Sequence, residues 1–128
     1  MRVGIATDAE EGAVRILYLE DDRFVGRAVA RQLRTMGVVV AHVDSVELAV
    51  SLLPFGHWDV VLSDFQMAQG DGVDLMRAAA TTCPDSRRVM LTGHPDHPKV
   101  VAALQEGLVA EVVAKPARDE TIKRAIGA

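Results

Sequence analysis

Residues 15–22 have the sequence RILYLEDD, in which a mostly apolar run from Arg15 to Leu19 is followed directly by three carboxylates. The run shows no alternation of polar and apolar residues, which is typical of a strand in a sheet covered by helices on both faces. Similar short runs recur along the chain and are separated by longer segments with a helical period. The stretch therefore predicts the first strand of a parallel α/β sheet.

The rest of the chain continues this alternation of strand and helix. The other predicted strands are Val38 to Val43, Val60 to Leu62, Val89 to Leu91 and Val109 to Val113. The first predicted helix has Val25, Val29, Leu33 and Met36 on one face, and the later helices are Ser45 to Leu53, Val73 to Ala80, Lys99 to Glu106 and Glu120 to Ile126. Because parallel strands need right-handed crossovers, we predict a flavodoxin-like, doubly wound (βα)5 three-layer sandwich with the strand order 2-1-3-4-5.

The composition is that of one ordinary globular domain. The chain has 128 residues, 49% of them hydrophobic, and a formal net charge of -4 at pH 7. Nucleic-acid-binding domains usually carry a basic surplus on one face, so we expect no direct nucleic-acid binding by this domain. Arg23, Arg27, Arg31 and Arg34 repeat at helical spacing, and we interpret them as the solvated face of an amphipathic helix.

Other sequence features bear on location and domain limits. Cys83 is the only cysteine, so no internal disulfide can form, which fits a reducing compartment. No apolar run approaches the roughly 20 residues of a membrane span, and the acidic N-terminus does not resemble a signal peptide. We therefore expect a cytoplasmic protein without membrane contact. We also expect an N-terminal extension or disordered leader over residues 1–13, with a short strand at Met1 to Ile5 left undecided, and one domain over residues 14–128.

Acidic residues follow two of the predicted strands, at the edge where ligands bind to such sheets. Glu20, Asp21 and Asp22 follow the first strand, and Asp64 ends the third. Carboxylates packed within a few ångströms repel one another, so an ionised cluster requires a cation. Hard oxygen ligands with room for water suit Mg²⁺. The alternative is that acidic residues cap the following helices, and it fits Asp22 best.

Two further strand ends carry groups suited to contact a phosphoryl group. Thr92 and Gly93 end the fourth predicted strand, where a hydroxyl can donate and the adjacent glycine leaves space. Lys115 follows the fifth strand, and its ammonium group complements the carboxylates. Either residue alone is more often a turn residue or a surface charge. Together with the carboxylates they favour a functional site.

Five motifs, in this order and spacing, resemble the signature of bacterial response-regulator receiver domains, the chemotaxis-regulator-like domains of two-component signalling. They are residues 16–22 (ILYLEDD), 59–64 (DVVLSD), 70–72 (GDG), 90–93 (MLTG) and Lys115-Pro116. The resemblance implies that Asp64 accepts a phosphoryl group from a sensor histidine kinase or a phosphotransfer protein, with Mg²⁺ as cofactor and Mn²⁺ as a substitute. It implies catalysis only of the domain's own phosphorylation and dephosphorylation, and a signal passed to a downstream protein or a fused output domain.

The resemblance also implies roles for individual residues. The implied metal ligands are Asp21, Asp64, the backbone carbonyl of Gln66 and, through water, Glu20. The implied phosphoryl contacts are Thr92 and Lys115. His94, two residues beyond Thr92, lies where the side chain can influence the approach of attacking water. Metal binding by His94, Asp96 and His97 in the same loop is disfavoured, because no further ligands are evident.

Two positions depart from the family pattern and keep other functions open. Val112 stands where many receivers have a Tyr or Phe that moves with Thr92, and valine offers a stiff side chain without a ring. Ala117 replaces a common bulky aromatic, so the face made by the fourth helix, fifth strand and fifth helix lacks a large side chain there. A homodimer through this face is left open but is not indicated. Both departures motivate the second-ranked alternative of a receiver-like scaffold for protein–protein interaction that is indifferent to phosphorylation. A flavodoxin-like enzyme or nucleotide binder ranks last, because carboxylates replace the Gly-rich phosphate loop.

Overall fold

The computed structural model describes residues 12–127, which form a five-stranded sheet with five α-helices. The strands are β1 (Arg15–Leu19), β2 (Val39–Val43), β3 (Val60–Ser63), β4 (Arg87–Thr92) and β5 (Glu111–Ala114). The helices are α1 (Arg23–Arg34), α2 (Val46–Leu52), α3 (Gly72–Thr82), α4 (Pro98–Gln105) and α5 (Asp119–Ile126), and a 3-10 turn, Leu53–Phe55, extends α2. The undecided strand at Met1 to Ile5 and most of the predicted leader lie outside the described residues.

The sheet is parallel throughout, with the order β2-β1-β3-β4-β5, which confirms the predicted flavodoxin-like fold. One core lies between the sheet and α1 and α5, and the other lies between the sheet and α2, α3 and α4. Within β1, Ile16 and Tyr18 face the first core, while Leu17 and Leu19 face the second. Because both faces are covered, each residue of this strand can be apolar. Within residues 12–127, no helix has the length and apolar character needed to cross a bilayer.

The buried face of α1 partly matches the prediction. Leu33 is buried, and the half-buried Val29 and Met36 pack against the same core. The buried residues Gly26 and Ala30 were not predicted. A Cβ atom added to Gly26 would lie 2.2 Å from Cε1 of His42. The helix approaches the sheet through its smallest residues, which a pattern of large apolar side chains does not reveal.

The predicted limits of β4 and β5 were also partly wrong. β4 begins at Arg87 because the backbones of Arg87 and Arg88 pair with β3. The Nε atoms of these two arginines donate to the carbonyl oxygens of Ala125 and Leu108, each at 2.6 Å. β5 begins two residues later than predicted, since the N–H of Val109 donates to a carbonyl at the end of α4. The predicted limits of α2 to α5 agree with the structure to within two residues.

Ser45 caps α2 and offers a clean test of local stability. Its Oγ accepts a hydrogen bond from the N–H of Leu48 at 3.1 Å. We expect Ser45→Ala to lower the free energy of unfolding by about 1 kcal/mol, measured by urea denaturation, because one backbone donor loses its partner. Ser51→Ala, at an exposed position of the same helix, is the matched control and should change stability by less than about 0.5 kcal/mol. Equal losses in the two variants would contradict the capping role.

Candidate functional site

The carboxyl ends of β1, β3 and β5 bring Glu20, Asp64 and Lys115 together. The Asp64 N–H donates to the carbonyl of Leu19 at 3.1 Å, which fixes the end of β3 beside the end of β1. From the end of β5, Lys115 Nζ donates to Asp64 Oδ2 at 3.0 Å and also to Glu20 Oε1. These three predicted site residues therefore form one hydrogen-bonded group at the switch point of the sheet.

Glu20 is the most enclosed carboxylate of the group, with 1% of its surface exposed. Burial raises the pKa of Glu20 above its usual value, although the hydrogen bond from Lys115 opposes this shift. Its Oε2 accepts from the N–H of Asp22 at 3.2 Å, and its backbone carbonyl lies 3.0 Å from His42 Nε2. Since a carbonyl oxygen can only accept, Nε2 of His42 is the donor.

Lys115 is a cation held between two carboxylates. Burial alone would lower its pKa, but the hydrogen bonds to Glu20 and Asp64 outweigh burial and raise the pKa of Lys115. The ammonium group therefore stays protonated at neutral pH. A permanent positive charge lies within hydrogen-bonding distance of Asp64.

Asp64 is half-buried and bonded on both carboxylate oxygens. Its Oδ1 accepts from the N–H of Phe65 at 2.6 Å, and its Oδ2 accepts from Lys115. Its backbone carbonyl accepts from the Ser63 hydroxyl at 2.6 Å. The side chain retains 14% exposure, so a small reactant can reach an otherwise fixed carboxylate.

Asp21 and Asp22 have different partners. Asp22 caps α1, since its Oδ1 accepts from the N–H groups of Phe24 and Val25, each at 3.0 Å. This contact bears out the capping alternative for Asp22. Asp21 instead reaches the loop between β3 and α3, where its Oδ2 accepts from the N–H of Ala68 at 2.8 Å. The Asp21 carboxylate thus lies against the loop that also carries Gln66.

Thr92 is fully buried at the end of β4 and does not hydrogen-bond to Asp64. Its Oγ1 accepts from the N–H of His94 at 3.0 Å, and its carbonyl accepts from the N–H of Lys115 at 2.9 Å. Gly93 beside it is exposed and has open space where a side chain would lie, as predicted. Thr92 is therefore positioned by the neighbouring strand end rather than by the Asp64 carboxylate.

The remaining predicted ligands are less closely assembled. Gln66 is exposed, and its backbone pairs with Asp71 in an isolated bridge. Within residues 12–127, no three His, Cys, Asp or Glu side chains are grouped closely enough to hold a metal ion. In the loop after Thr92, His97 does not join His94 in a metal site, because its Nδ1 accepts from the N–H of Lys99 at 3.1 Å and caps α4.

Sequence reasoning missed the roles of two ring side chains near the site, Tyr18 and His42. They lie opposite each other on β1 and β2, with ring centroids 5.3 Å apart. The Tyr18 hydroxyl is buried without a hydrogen-bond partner among residues 12–127. Burial, reinforced by the Glu20 carboxylate, raises the pKa of Tyr18 beyond its usual range, so the hydroxyl stays neutral. The sequence feature that could have revealed them is a polar ring within each of two mostly apolar strands.

Comparison with known sequences agrees with this geometry. The family model described as "Response regulator receiver domain" matches residues 16–127. The chain is 32% identical over 114 residues to the C4-dicarboxylate transport transcriptional regulatory protein DctD of Rhizobium meliloti (strain 1021). That alignment covers 88% of this chain but 25% of DctD, so the chain spans about a quarter of this relative's length.

Two solved structures show the same similarity. A response regulator receiver domain protein from Clostridium thermocellum has a TM-score of 0.81 and 25% identity, with coverage of 89% of this chain and 91% of that chain. A response regulator protein from Burkholderia pseudomallei, solved with a phosphorylated aspartic acid, a calcium ion and citrate, has a TM-score of 0.80 and 25% identity, with coverage of 88% and 66%. The chain belongs to the receiver domain family of two-component response regulators.

Proposed function

We propose that the domain accepts a phosphoryl group on Asp64 from a phosphohistidine of a sensor histidine kinase or phosphotransfer protein. The proposal rests above all on the contact between Asp64 Oδ2 and Lys115 Nζ, 3.0 Å apart at the switch point of the sheet. A half-buried carboxylate beside a fixed cation suits a nucleophile whose product carries negative charge on the phosphoryl oxygens. Phosphorylation would change contacts with a downstream protein or a fused output domain.

The proposed chemistry uses Asp64 as nucleophile. One carboxylate oxygen attacks the phosphorus, the O–P bond forms, and the P–N bond of the phosphohistidine breaks with its electron pair remaining on the imidazole. The phosphorylated state ends by hydrolysis, in which water attacks the phosphorus of the aspartyl phosphate. The O–P bond then breaks, which regenerates the carboxylate and releases inorganic phosphate. The domain would catalyse only these two reactions on itself.

Three residues would assist through their positions around Asp64. The Lys115 ammonium would offset the charge on the phosphoryl oxygens. Thr92 Oγ1 already accepts from His94, so its own hydrogen is free to donate to a phosphoryl oxygen. His94 is exposed at the mouth of the site, where we propose that it influences the approach of water.

The oxygen ligands of this site fit a small divalent cation. Mg²⁺ usually takes one or two protein carboxylates and keeps several waters, so it does not require a larger acidic cluster. Asp21, Asp64 and the backbone carbonyl of Gln66 would hold it, because the hydrogen bond to Ala68 keeps Asp21 against the loop that follows Asp64. Glu20, engaged by Lys115, would act only through water. When bound, the cation would supply positive charge beside the phosphoryl oxygens.

We place this reaction in the cytoplasm, where sensor kinases present their phosphohistidine. The free thiol of Cys83 fits a reducing compartment.

The experiment that tests this function is intact-mass measurement of the full chain with a small acyl phosphate donor. We expect an added phosphoryl group in Mg²⁺, less or none after chelation, and partial labelling with Mn²⁺. Borohydride reduces an aspartyl phosphate to homoserine, so peptide mapping of the reduced protein should find homoserine at position 64. Labelling at another residue, or labelling that is equal with and without chelator, would contradict the proposal.

A further inference from the structure

The loop between β4 and α4, residues 93–97, is attached to Thr92 at its start and to Phe65, the residue after Asp64, at its end. At its start, the N–H of His94 donates to Thr92 Oγ1 at 3.0 Å. At its end, the His97 ring packs against the ring of Phe65, with centroids 4.5 Å apart and an interplanar angle of 44°. The four residues from Gly93 to Asp96 are exposed. The loop therefore contacts the end of β4 on one side and the residue after Asp64 on the other.

Phe65 links the Asp64 carboxylate to this aromatic contact. Its N–H donates to Asp64 Oδ1 at 2.6 Å, and its carbonyl accepts from the N–H of Gly72 at 2.8 Å. Its ring is 4% exposed and belongs to the same core as Val100 of α4. Because backbone and ring are both held, a change at Oδ1 shifts the residue as a unit.

His97 connects Phe65 to the first turn of α4. Its Nδ1 accepts from the N–H of Lys99, and its carbonyl accepts from the N–H groups of Val100 and Val101 at 2.9 and 3.0 Å. The same imidazole thus caps the helix and packs on Phe65. Movement of the ring would disturb the capping bonds at the helix start.

Other links between the site and α4 are weaker. Lys99 Nζ lies 3.5 Å from Asp71 Oδ2, but the lysine side chain is 67% exposed, and such ion pairs contribute little. Val112 lies on β5, opposite Met90 of β4, and has no ring that could move between two positions. Of the two aromatic ring pairs within residues 12–127, the pair of Phe65 and His97 joins the loop after Asp64 to the start of α4.

We propose that the contact between Phe65 and His97 carries the effect of Asp64 modification to the first turn of α4, in place of an aromatic side chain at position 112. This inference rests on the proposed function of Asp64. Phosphorylation replaces a carboxylate that accepts the Phe65 N–H by a bulkier group with further negative charge. Phe65 and His97 are positioning residues, since neither supplies a reacting atom.

The test compares two substitutions of His97 in the full chain, with Mg²⁺ and beryllofluoride as the phosphoryl mimic. His97→Asn keeps an oxygen that can cap α4 but removes the ring, whereas His97→Phe keeps a ring but removes the capping acceptor. The readout is the beryllofluoride-induced shift of the amide NMR signals of Lys99, Val100 and Val101. We expect the shift to fall at least about twofold in His97→Asn and to persist in His97→Phe, which should show the lower Tm.

His57→Asn is the matched control, because His57 is exposed and lies before β3. It should leave the shift unchanged. A full shift in His97→Asn, or a loss only in His97→Phe, would overturn the proposal in favour of a purely structural cap. A wild-type chain that is labelled on Asp64 yet shows no shift in α4 would overturn it while leaving the proposed function intact. A chain that is neither labelled nor responsive would reject the function itself.

Discussion

Asp64→Asn is expected to reduce phosphoryl labelling at least about 100-fold, because the substitution removes the attacking oxygen anion. The fold should persist, since the Asn carbonyl can still accept from the N–H of Phe65. The amide nitrogen, however, cannot accept from Lys115 Nζ, so one hydrogen bond of the pocket is lost. Intact mass with a small acyl phosphate and Mg²⁺ measures the labelling, and circular dichroism checks the fold.

Asp96→Asn is the matched control for this substitution. Asp96 is exposed in the loop after Thr92 and is close to the site in sequence without a role in it. It should be labelled like the wild type. Equal labelling of wild type and Asp64→Asn would remove Asp64 as the acceptor, and a comparable loss in Asp96→Asn would point to a general effect of charge.

Comparing the wild type with Asp64→Asn also separates a phosphorylation switch from a scaffold that binds its partner constitutively. In a switch, a phosphodonor and Mg²⁺ change the affinity of the wild type for a partner and leave Asp64→Asn unchanged. In a scaffold, both proteins bind equally with and without the donor. Val112 and Ala117 kept the scaffold hypothesis open, and an aromatic contact elsewhere, between Phe65 and His97, gives the switch a different physical route.

The sequence predicted that three candidate site residues meet because parallel strands end at one edge of the sheet. Glu20, Asp64 and Lys115 each follow an apolar run, so topology alone predicted that they meet. Pairing was not predictable in the same way. Which carboxylate a lysine contacts depends on side-chain conformations across a long sequence separation. The sequence predicted that Lys115 complements the carboxylates, but not that it would bind Glu20 as well as Asp64.

Errors in the fold prediction have a different physical origin. The closest approach of α1 to the sheet was missed because Gly26 makes it, and not one of the predicted valines. The start of β4 was missed because Arg87 and Arg88 satisfy their side chains with carbonyl oxygens while their backbones pair as a strand. Hydropathy patterns carry no information on such close approaches or on local hydrogen bonds.

Gly72→Ala should therefore show that both the stability of the fold and the position of Asp64 require a residue without a side chain at position 72. Gly72 begins α3 directly beside the end of β3, and an added Cβ would lie 2.0 Å from the Asp64 carbonyl oxygen and 2.7 Å from Ser63 Oγ. Because the first of these atoms belongs to the backbone, the clash cannot be relieved by a side-chain rotation. We expect the free energy of unfolding to fall by about 3 kcal/mol, the upper range for overpacking.

Urea denaturation measures this loss, and Gly93→Ala is the control. A Cβ atom at Gly93 meets nothing within 4 Å, so its stability should change by less than about 0.5 kcal/mol. Any Gly72→Ala protein that folds must move the Asp64 carbonyl, and with it the backbone that positions the carboxylate, so phosphoryl labelling should slow as well. If Gly72→Ala has the stability and labelling of the wild type, the end of β3 can shift without loss of folding free energy. Close packing against Gly72 would then not be what holds Asp64 in place.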